Sequence, residues 1–405
     1  MDLAVSHCSN MTLAAAPRLL RPIVLLLACF PYVHFGLDLG LDTQPWFFLG
    51  ALALILLGHP LRLGTLFFAA FAVVLAVLLG SMISALFYGV GDGFWFPMAR
   101  GVYSYLTLLL GIGLFASLGK QDLPLIKGVL RLSIIVYLVA GLVQWAGLSD
   151  LEFLSVNRTT TNRGVTSLAA EPSFFGVIVF FLLVAYRLVG LALGERSRRD
   201  LLFELFAVLF LVVLSESAVA VILLAMFYAS RLFWLMASGG AFLFWGLSTE
   251  AFGDGSASRG MRLLVQLSSV GVLSILSRDA SVNERLSSVL VPYLGSLEYW
   301  GLPGGFYEYR PYFLSVLDTS NFFFWGSGQI HSFLGAPIFE GGLPGWVFIV
   351  CLGLLVFRTV GLRFSEKVAL FAGLHMALPL NVGLIPLVFF LCFQVQGAGA
   401  SRRRG

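Results

Sequence analysis

Residues 63–88 read LGTLFFAAFAVVLAVLLGSMISALFY, a run of 26 residues without a charged side chain. A helix needs about 20 apolar residues to cross the hydrocarbon core of a bilayer, so this run is long enough to span one. Similar runs recur along a chain that is 59% hydrophobic and only 11% charged, with a mean hydropathy of +0.94. Because helices satisfy their own backbone groups in lipid, the sequence predicts an all-α polytopic membrane protein.

The apolar runs predict a bundle of about 12 transmembrane helices in a single integral membrane domain, residues 1–405. The predicted spans lie near 19–37, 44–58, 63–88, 98–118, 124–146, 172–192, 200–214, 216–230, 232–250, 336–357, 366–379 and 382–396. Pro379 and Pro386 interrupt the last apolar stretch, which predicts two short helices that meet at a break.

The lysines and arginines divide unequally between the two sides of this bundle. About two thirds of them fall on the side that carries both termini, and positive loops mark the cytoplasmic side of a membrane protein. Two loops, 147–171 and 251–335, therefore face outward. The second is a large late loop with short helices, and its residues 280–294 carry an amphipathic pattern that predicts a helix resting on the membrane surface.

Charge and cysteine usage exclude other classes of protein. The net charge of +4 comes from basic residues spread over loops rather than gathered into a stripe, so we expect no nucleic-acid partner. The cysteines Cys8, Cys29, Cys351 and Cys392 lack CxxC spacing and are typical of small apolar residues, so we expect no disulfide and no metal. No nucleotide-binding or metal-binding motif appears in the sequence, and we expect no cofactor.

Two arginines lie in the polar run NRTTTNR, residues 157–163, shortly before a predicted span. Arg158 and Arg163 are on the side where arginine is disfavoured, and a guanidinium suits bidentate binding of phosphate. The simpler interpretation is a juxtamembrane loop whose arginines lie near lipid headgroups.

Glu171-Pro172-Ser173 opens the next span. Proline at the first helical position and a carboxylate near a helix N-terminus are ordinary features of a helix start. The functional alternative makes Glu171 a base, or a partner of an arginine or a sugar hydroxyl.

The late loop contributes Arg285 and His331. Arg285 is either part of a solvated, ion-paired helix face or a second phosphate-binding arginine. His331 follows the flexible Gly326-Ser-Gly328 and is either an inert interfacial residue or a general base, since its unperturbed pKa lies near working pH. Tyr307, Tyr309 and Arg310 belong to an aromatic cluster that is typical of a membrane belt or of a surface for glycans.

Four motifs in this order resemble the O-antigen polymerase / O-antigen ligase superfamily of bacterial envelope glycan enzymes. They are Arg163 with Glu171-Pro-Ser173, Leu214-Ser215-Glu-Ser217, Arg285, and Gly326-x-Gly328-x-x-His331-Ser with the following Glu340-Gly-Gly turn. The resemblance implies a metal-independent, inverting, GT-C-like glycosyltransferase in the bacterial inner membrane, with both termini cytoplasmic and the active site facing the periplasm.

The same resemblance implies an undecaprenyl-diphosphate-linked oligosaccharide as donor, and a flippase and a chain-length regulator of the same pathway as possible partners. By analogy, Arg163, Arg285 and Arg158 bind the diphosphate, and His331 or Glu171 handles the proton of the acceptor. The Glu-Pro-Ser motif favours a polysaccharide polymerase, making lipopolysaccharide or exopolysaccharide, over a ligase to lipid A core. A lipid-linked oligosaccharide flippase is the alternative from another class, and a non-catalytic scaffold of an envelope assembly complex is a third.

Overall fold

The computed structural model describes residues 20–34, 36–37, 43–88, 95–156, 158, 164–195, 197–228, 280–320, 322–323, 326, 329–376 and 378–402. Within these ranges all regular structure is helical, and there is no strand. The predicted span near 232–250 and the arginine Arg163 lie outside the described residues.

Fourteen α-helices occur in the described ranges. They are α1 (Leu20–Cys29), α2 (Trp46–Leu56), α3 (Thr65–Tyr88), α4 (Trp95–Ala116), α5 (Leu123–Trp145), α6 (Pro172–Leu193), α7 (Arg198–Ser215), α8 (Ala218–Tyr228), α9 (Ala280–Glu298), α10 (Tyr309–Thr319), α11 (Gly335–Gly341), α12 (Leu343–Phe357), α13 (Phe364–Gly373) and α14 (Leu384–Arg402). By length and composition, α3, α4, α5 and α6 can cross a membrane, and α1, α2, α8, α12 and α14 are shorter apolar helices. The chain is a helical, membrane-embedded protein, and the number of twelve spans stays a prediction.

The apolar run 336–357, predicted as one span, is divided into α11 and α12. Gly342 separates them with φ 60° and ψ −135°, a backbone conformation that suits glycine. A Cβ at Gly342 would overlap the carbonyl oxygen of Gly301, so the chain is also crowded at this point. Hydropathy averaged over the run does not reveal the break, although the Glu340-Gly-Gly turn lies at this point in the sequence. The break predicted around Pro379 is observed, since α13 ends at Gly373 and α14 begins at Leu384. Pro386 lies within the first turn of α14 and does not interrupt it.

Helix α6 lies at the centre of the bundle. Of its most apolar window, 89% is buried inside the protein, against half or less in α3, α4 and α5. It packs against α5, α7, α13 and α14. A helix that is apolar on all sides is expected in such a position, because it has neighbours on every face.

The single charge in α6 is paired within the bundle. Arg187 Nη1 lies 3.3 Å from Glu204 Oε2 in α7, and its Nη2 lies 3.0 Å from Glu366 Oε1 in α13. The hydroxyl of Tyr228 in α8 donates to Glu204 Oε2 at 3.2 Å. All four side chains are buried, so these contacts tie α6, α7, α8 and α13 together where an unpaired charge would be costly.

The two ends of the bundle differ. At the end where α5 and α7 begin, Arg21 pairs with Asp122 at 3.2 Å and Lys127 pairs with Asp200 at 3.0 Å. The other end, where α3 and α5 finish and α6 and α12 begin, carries the irregular segments 146–156, 164–171 and 299–308, and we call it the loop end. The predicted orientation makes the loop end periplasmic.

Replacing Arg187 with alanine is expected to destabilise the protein by about 3–5 kcal/mol, because Glu204 and Glu366 are left as buried, uncompensated carboxylates. Thermal unfolding of purified variants in detergent measures this. The triple variant Arg187→Met, Glu204→Gln, Glu366→Gln removes the charges together and should recover most of the loss.

The matched control is Arg358→Ala, which removes an exposed arginine just after α12. Its melting temperature should stay close to that of the wild type. Equal melting temperatures for the Arg187 and Arg358 variants would contradict a structural role for the buried ion pairs.

Candidate functional site

The segment 164–171 at the loop end is held in place by the side chain of Gln144, at the end of α5. Gln144 Nε2 donates to the carbonyl oxygen of Asp150 at 2.9 Å and to Thr166 Oγ1 at 3.2 Å, and its Oε1 accepts from the backbone N–H of Ser167. Ser167 has φ 54° and donates through Oγ to the carbonyl oxygen of Tyr137 at 2.6 Å. These hydrogen bonds therefore attach the segment to α5.

The same segment lies on the turn between α7 and α8. The Val165 N–H donates to the carbonyl oxygen of Leu214 at 2.9 Å, and a Cβ at Gly164 would overlap the Ser215 carbonyl oxygen. Glu216 forms the turn with φ 45°. The fold thus makes neighbours of two motifs that are about fifty residues apart in sequence. They are the residues after Arg163 and Ser215-Glu-Ser217.

Glu171 is the N-cap residue of α6, with extended backbone and no capping hydrogen bond from its side chain. Its half-buried carboxylate instead accepts from Ser173 Oγ at 3.3 Å. Arg158 is exposed, and its backbone N–H donates to the carbonyl oxygen of Ala170 at 2.9 Å. The fold therefore brings the backbone of Arg158 to the residue before Glu171.

The late part of the chain forms a second group at the loop end. Arg285 is half-buried on α9, and His331 is half-buried four residues before α11. Helix α9 packs against α11, where Gly335 fits against Pro292. Ser332 Oγ accepts from the Gly335 N–H at 3.0 Å and fixes the residue after His331. Arg285 thus lies on α9, and His331 lies in the segment that leads into the helix packed against α9.

Tyr105 and Glu340 join this second group to the bundle, and the sequence pattern assigns neither a role. The Tyr105 hydroxyl in α4 donates to Glu340 Oε2 in α11 at 2.7 Å. Nearby, the Gly305 N–H donates to the carbonyl oxygen of Glu340 at 3.0 Å, and the Phe306 N–H donates to Ser81 Oγ at 3.0 Å. A carboxylate within an apolar run, such as that of Glu340, predicts a hydrogen-bond donor inside the protein, because exposing a carboxylate to lipid is energetically costly.

The three aromatic-cluster residues with a predicted glycan role lie in different environments. Arg310 is exposed, while Tyr307 is half-buried and its hydroxyl interacts with the backbone of Met98 in α4. The ring of Tyr309 is buried against Phe313 and Phe339, and its hydroxyl has no hydrogen-bond partner in the described part of the chain. Burial raises the pKa of Tyr309, so this hydroxyl stays protonated and able to donate.

Helix α14 connects the two groups. Phe333, two residues after His331, packs on Phe389 of α14 with ring centroids 5.9 Å apart. Helix α14 also packs along α6, the helix that begins after Glu171. The first group thus lies at the start of α6, and Phe333 of the second group packs on α14, which runs along α6. The residues of the two groups include guanidinium groups, carboxylates and an imidazole, which are side chains that bind phosphate and transfer protons to or from hydroxyl groups.

No protein-family model and no curated protein matches this chain. The roles given to Arg158, Glu171, Arg285 and His331 rest on the residues themselves and on the motif resemblance.

Replacing Gly164 with alanine is expected to separate the segment 164–171 from the turn at Ser215, because the new Cβ would overlap a backbone carbonyl. Crowding of this kind costs about 1–3 kcal/mol. Thermal unfolding in detergent and the rate of limited proteolysis within 147–171 measure the two effects.

Gly128→Ala is the matched control, because Gly128 lies within α5 and a Cβ there meets open space. Alanine is the better helix former, so this variant should be as stable as the wild type or slightly more stable. Indistinguishable proteolysis of the two variants would show that the contact with the turn is not needed to hold the loop.

Proposed function

We propose that this protein is a polysaccharide polymerase that transfers an undecaprenyl-diphosphate-linked glycan onto a lipid-linked repeat unit. The reaction is a metal-independent, inverting glycosyl transfer at the periplasmic face of the bacterial inner membrane. The motif resemblance supplies the reaction class, and the positions of the motif residues support it.

The observation that carries the proposal is the grouping of the motif residues at one end of the bundle. The residues that follow Arg163, the Ser215-Glu-Ser217 turn and Glu171 form one group. In the other, Arg285 lies on α9, and His331 lies four residues before α11, the helix against which α9 packs. Contact between segments that are distant in sequence is what a shared site requires.

In the proposed reaction, a hydroxyl oxygen of the acceptor sugar attacks the anomeric carbon of the donor glycan. The bond from that carbon to the diphosphate oxygen breaks, and its electron pair leaves with the undecaprenyl diphosphate. Arg158, Arg163 and Arg285 stabilise the charge that develops on the diphosphate. His331 or Glu171 accepts the proton of the attacking hydroxyl, so that charge and atoms balance.

Mass analysis of undecaprenyl-linked glycans in cells that lack the protein tests the proposal. Single repeat units should accumulate on the periplasmic face, and the wild-type gene should restore polymer. Accumulation of long lipid-linked chains would identify a ligase instead. Single units trapped on the cytoplasmic face would identify a flippase, and an unchanged glycan profile would refute the proposal. A scaffold would restore polymer even without Arg285 and His331.

Arg285→Ala and His331→Ala should each lower polymer formation by about 10²–10⁴-fold, because each removes a group that acts on charge or on the proton in the transition state. Arg285→Lys should recover only part of the activity, because lysine keeps the charge without the bidentate geometry. Polymer is measured by gel after membrane levels of each variant have been matched.

Arg358→Ala, at the end of the bundle opposite to the loop end, serves as the control and should retain wild-type polymer. Full activity in both alanine variants of the proposed site would refute the assigned roles.

A further inference from the structure

Helix α9 has a reversed distribution of polar and apolar side chains. Three of its four leucines, Leu290, Leu294 and Leu297, are exposed, and Leu297 shows 66% of its surface. In contrast, its Asn283, Ser287, Ser288 and Ser296 are buried. A helix in water buries its leucines, whereas a helix in lipid places small and polar residues against its neighbours and leucines outward.

The buried side of α9 makes the contacts that such a helix needs. Ser296 Oγ accepts from Trp346 Nε1 at 3.0 Å. Asn283 lies seven residues before Leu290 and so in line with the leucines, but there the segment at Phe322 covers the helix, and Asn283 Nδ2 donates to the carbonyl oxygen of Phe322 at 2.9 Å. A Cβ at Gly295 would overlap the rings of Phe339 and Tyr312, so the neighbours approach the backbone closely. The buried polar groups of α9 are therefore used in contacts with the rest of the protein.

The leucine stripe of α9 continues onto α12. The Leu343 N–H, at the start of α12, donates to the carbonyl oxygen of Gly301 at 2.8 Å and joins the two elements. Leu302 and Leu343 are exposed at this junction. Further exposed apolar residues then follow at helical spacing along α12, at Val347, Val350 and Leu354. The exposed apolar residues of α9 and α12 thus meet at this junction.

Trp300 lies in the turn where α9 ends. It adopts φ 57°, a left-handed conformation that glycine usually takes at the end of a helix, and 92% of its surface is exposed. A large aromatic residue in this position costs free energy in the folded chain and contacts little of the protein. Tryptophan is favoured where one side of a residue meets lipid and the other meets water.

We propose that α9 is embedded in the bilayer leaflet at the loop end, with Leu290, Leu294, Leu297, Trp300 and Leu302 in contact with lipid. This places within the bilayer a helix that the amphipathic sequence pattern predicts to rest on the membrane surface. Arg285 lies about 140° around the helix from Leu290, at 3.6 residues per turn, and so faces away from the lipid. The surface is independent of the proposed reaction.

Spin labels report directly on this surface. Leu290→Cys, Leu294→Cys and Leu297→Cys are labelled one at a time with a nitroxide, in a background without native cysteines, and reconstituted into phosphatidylethanolamine–phosphatidylglycerol vesicles. Collision rates with oxygen, which dissolves in lipid, and with a water-soluble nickel chelate are measured by electron paramagnetic resonance. Val350→Cys on α12 gives the lipid reference, and Glu152→Cys, exposed in the loop 147–171, gives the aqueous one.

At all three leucine positions the ratio of oxygen to nickel collision rates should match that at Val350 and exceed that at Glu152 at least about tenfold, because the nickel chelate is excluded from hydrocarbon. A ratio like that of Glu152 would place the stripe in water and overturn the proposal. Low rates with both reagents would overturn it as well, since they would mean that protein, such as a second copy of the chain, covers the stripe.

Discussion

The pairing of one buried arginine determines how the centre of this bundle is assembled. Arg187 is the only charge in α6, and it is within 3.3 Å of Glu204 and 3.0 Å of Glu366. A guanidinium in an apolar interior needs carboxylate partners, so α7 and α13 have to pack where those partners reach it. The start of α6 at the loop end is fixed by the same packing, and with it the position of Glu171.

The apolar runs and the prolines predicted the long helices and the interruptions after α7 and around Pro379, but not the division between α11 and α12. Helices α3, α5 and α6 begin and end within two residues of the predicted spans 63–88, 124–146 and 172–192, because long apolar runs have no other stable form in lipid. The break at Gly342 depends on one backbone conformation within an apolar run. The Tyr105–Glu340 hydrogen bond joins residues 235 apart in sequence, a distance that no local pattern encodes.

In the candidate site, too, some features follow from the local sequence and others from contacts between residues that are distant in sequence. Pro172 marks the start of α6, so the position of Glu171 could be predicted from sequence. The contact of Val165 with Leu214 and the left-handed Ser167 arise from tertiary packing, and periodicity does not predict them. In α9 the amphipathic pattern predicted a helix, but which of its faces is buried depends on whether its surroundings are water or lipid.

The most direct measurement is reconstitution of the purified protein into vesicles with an undecaprenyl-diphosphate-linked oligosaccharide and a metal chelator, followed by quantification of free undecaprenyl diphosphate. We predict that one undecaprenyl diphosphate is released for each new glycosidic linkage while the glycan chain lengthens. If the lipid-linked substrate remains intact under these conditions, whether or not it moves between leaflets, the proposal of metal-independent glycosyl transfer by this chain is wrong.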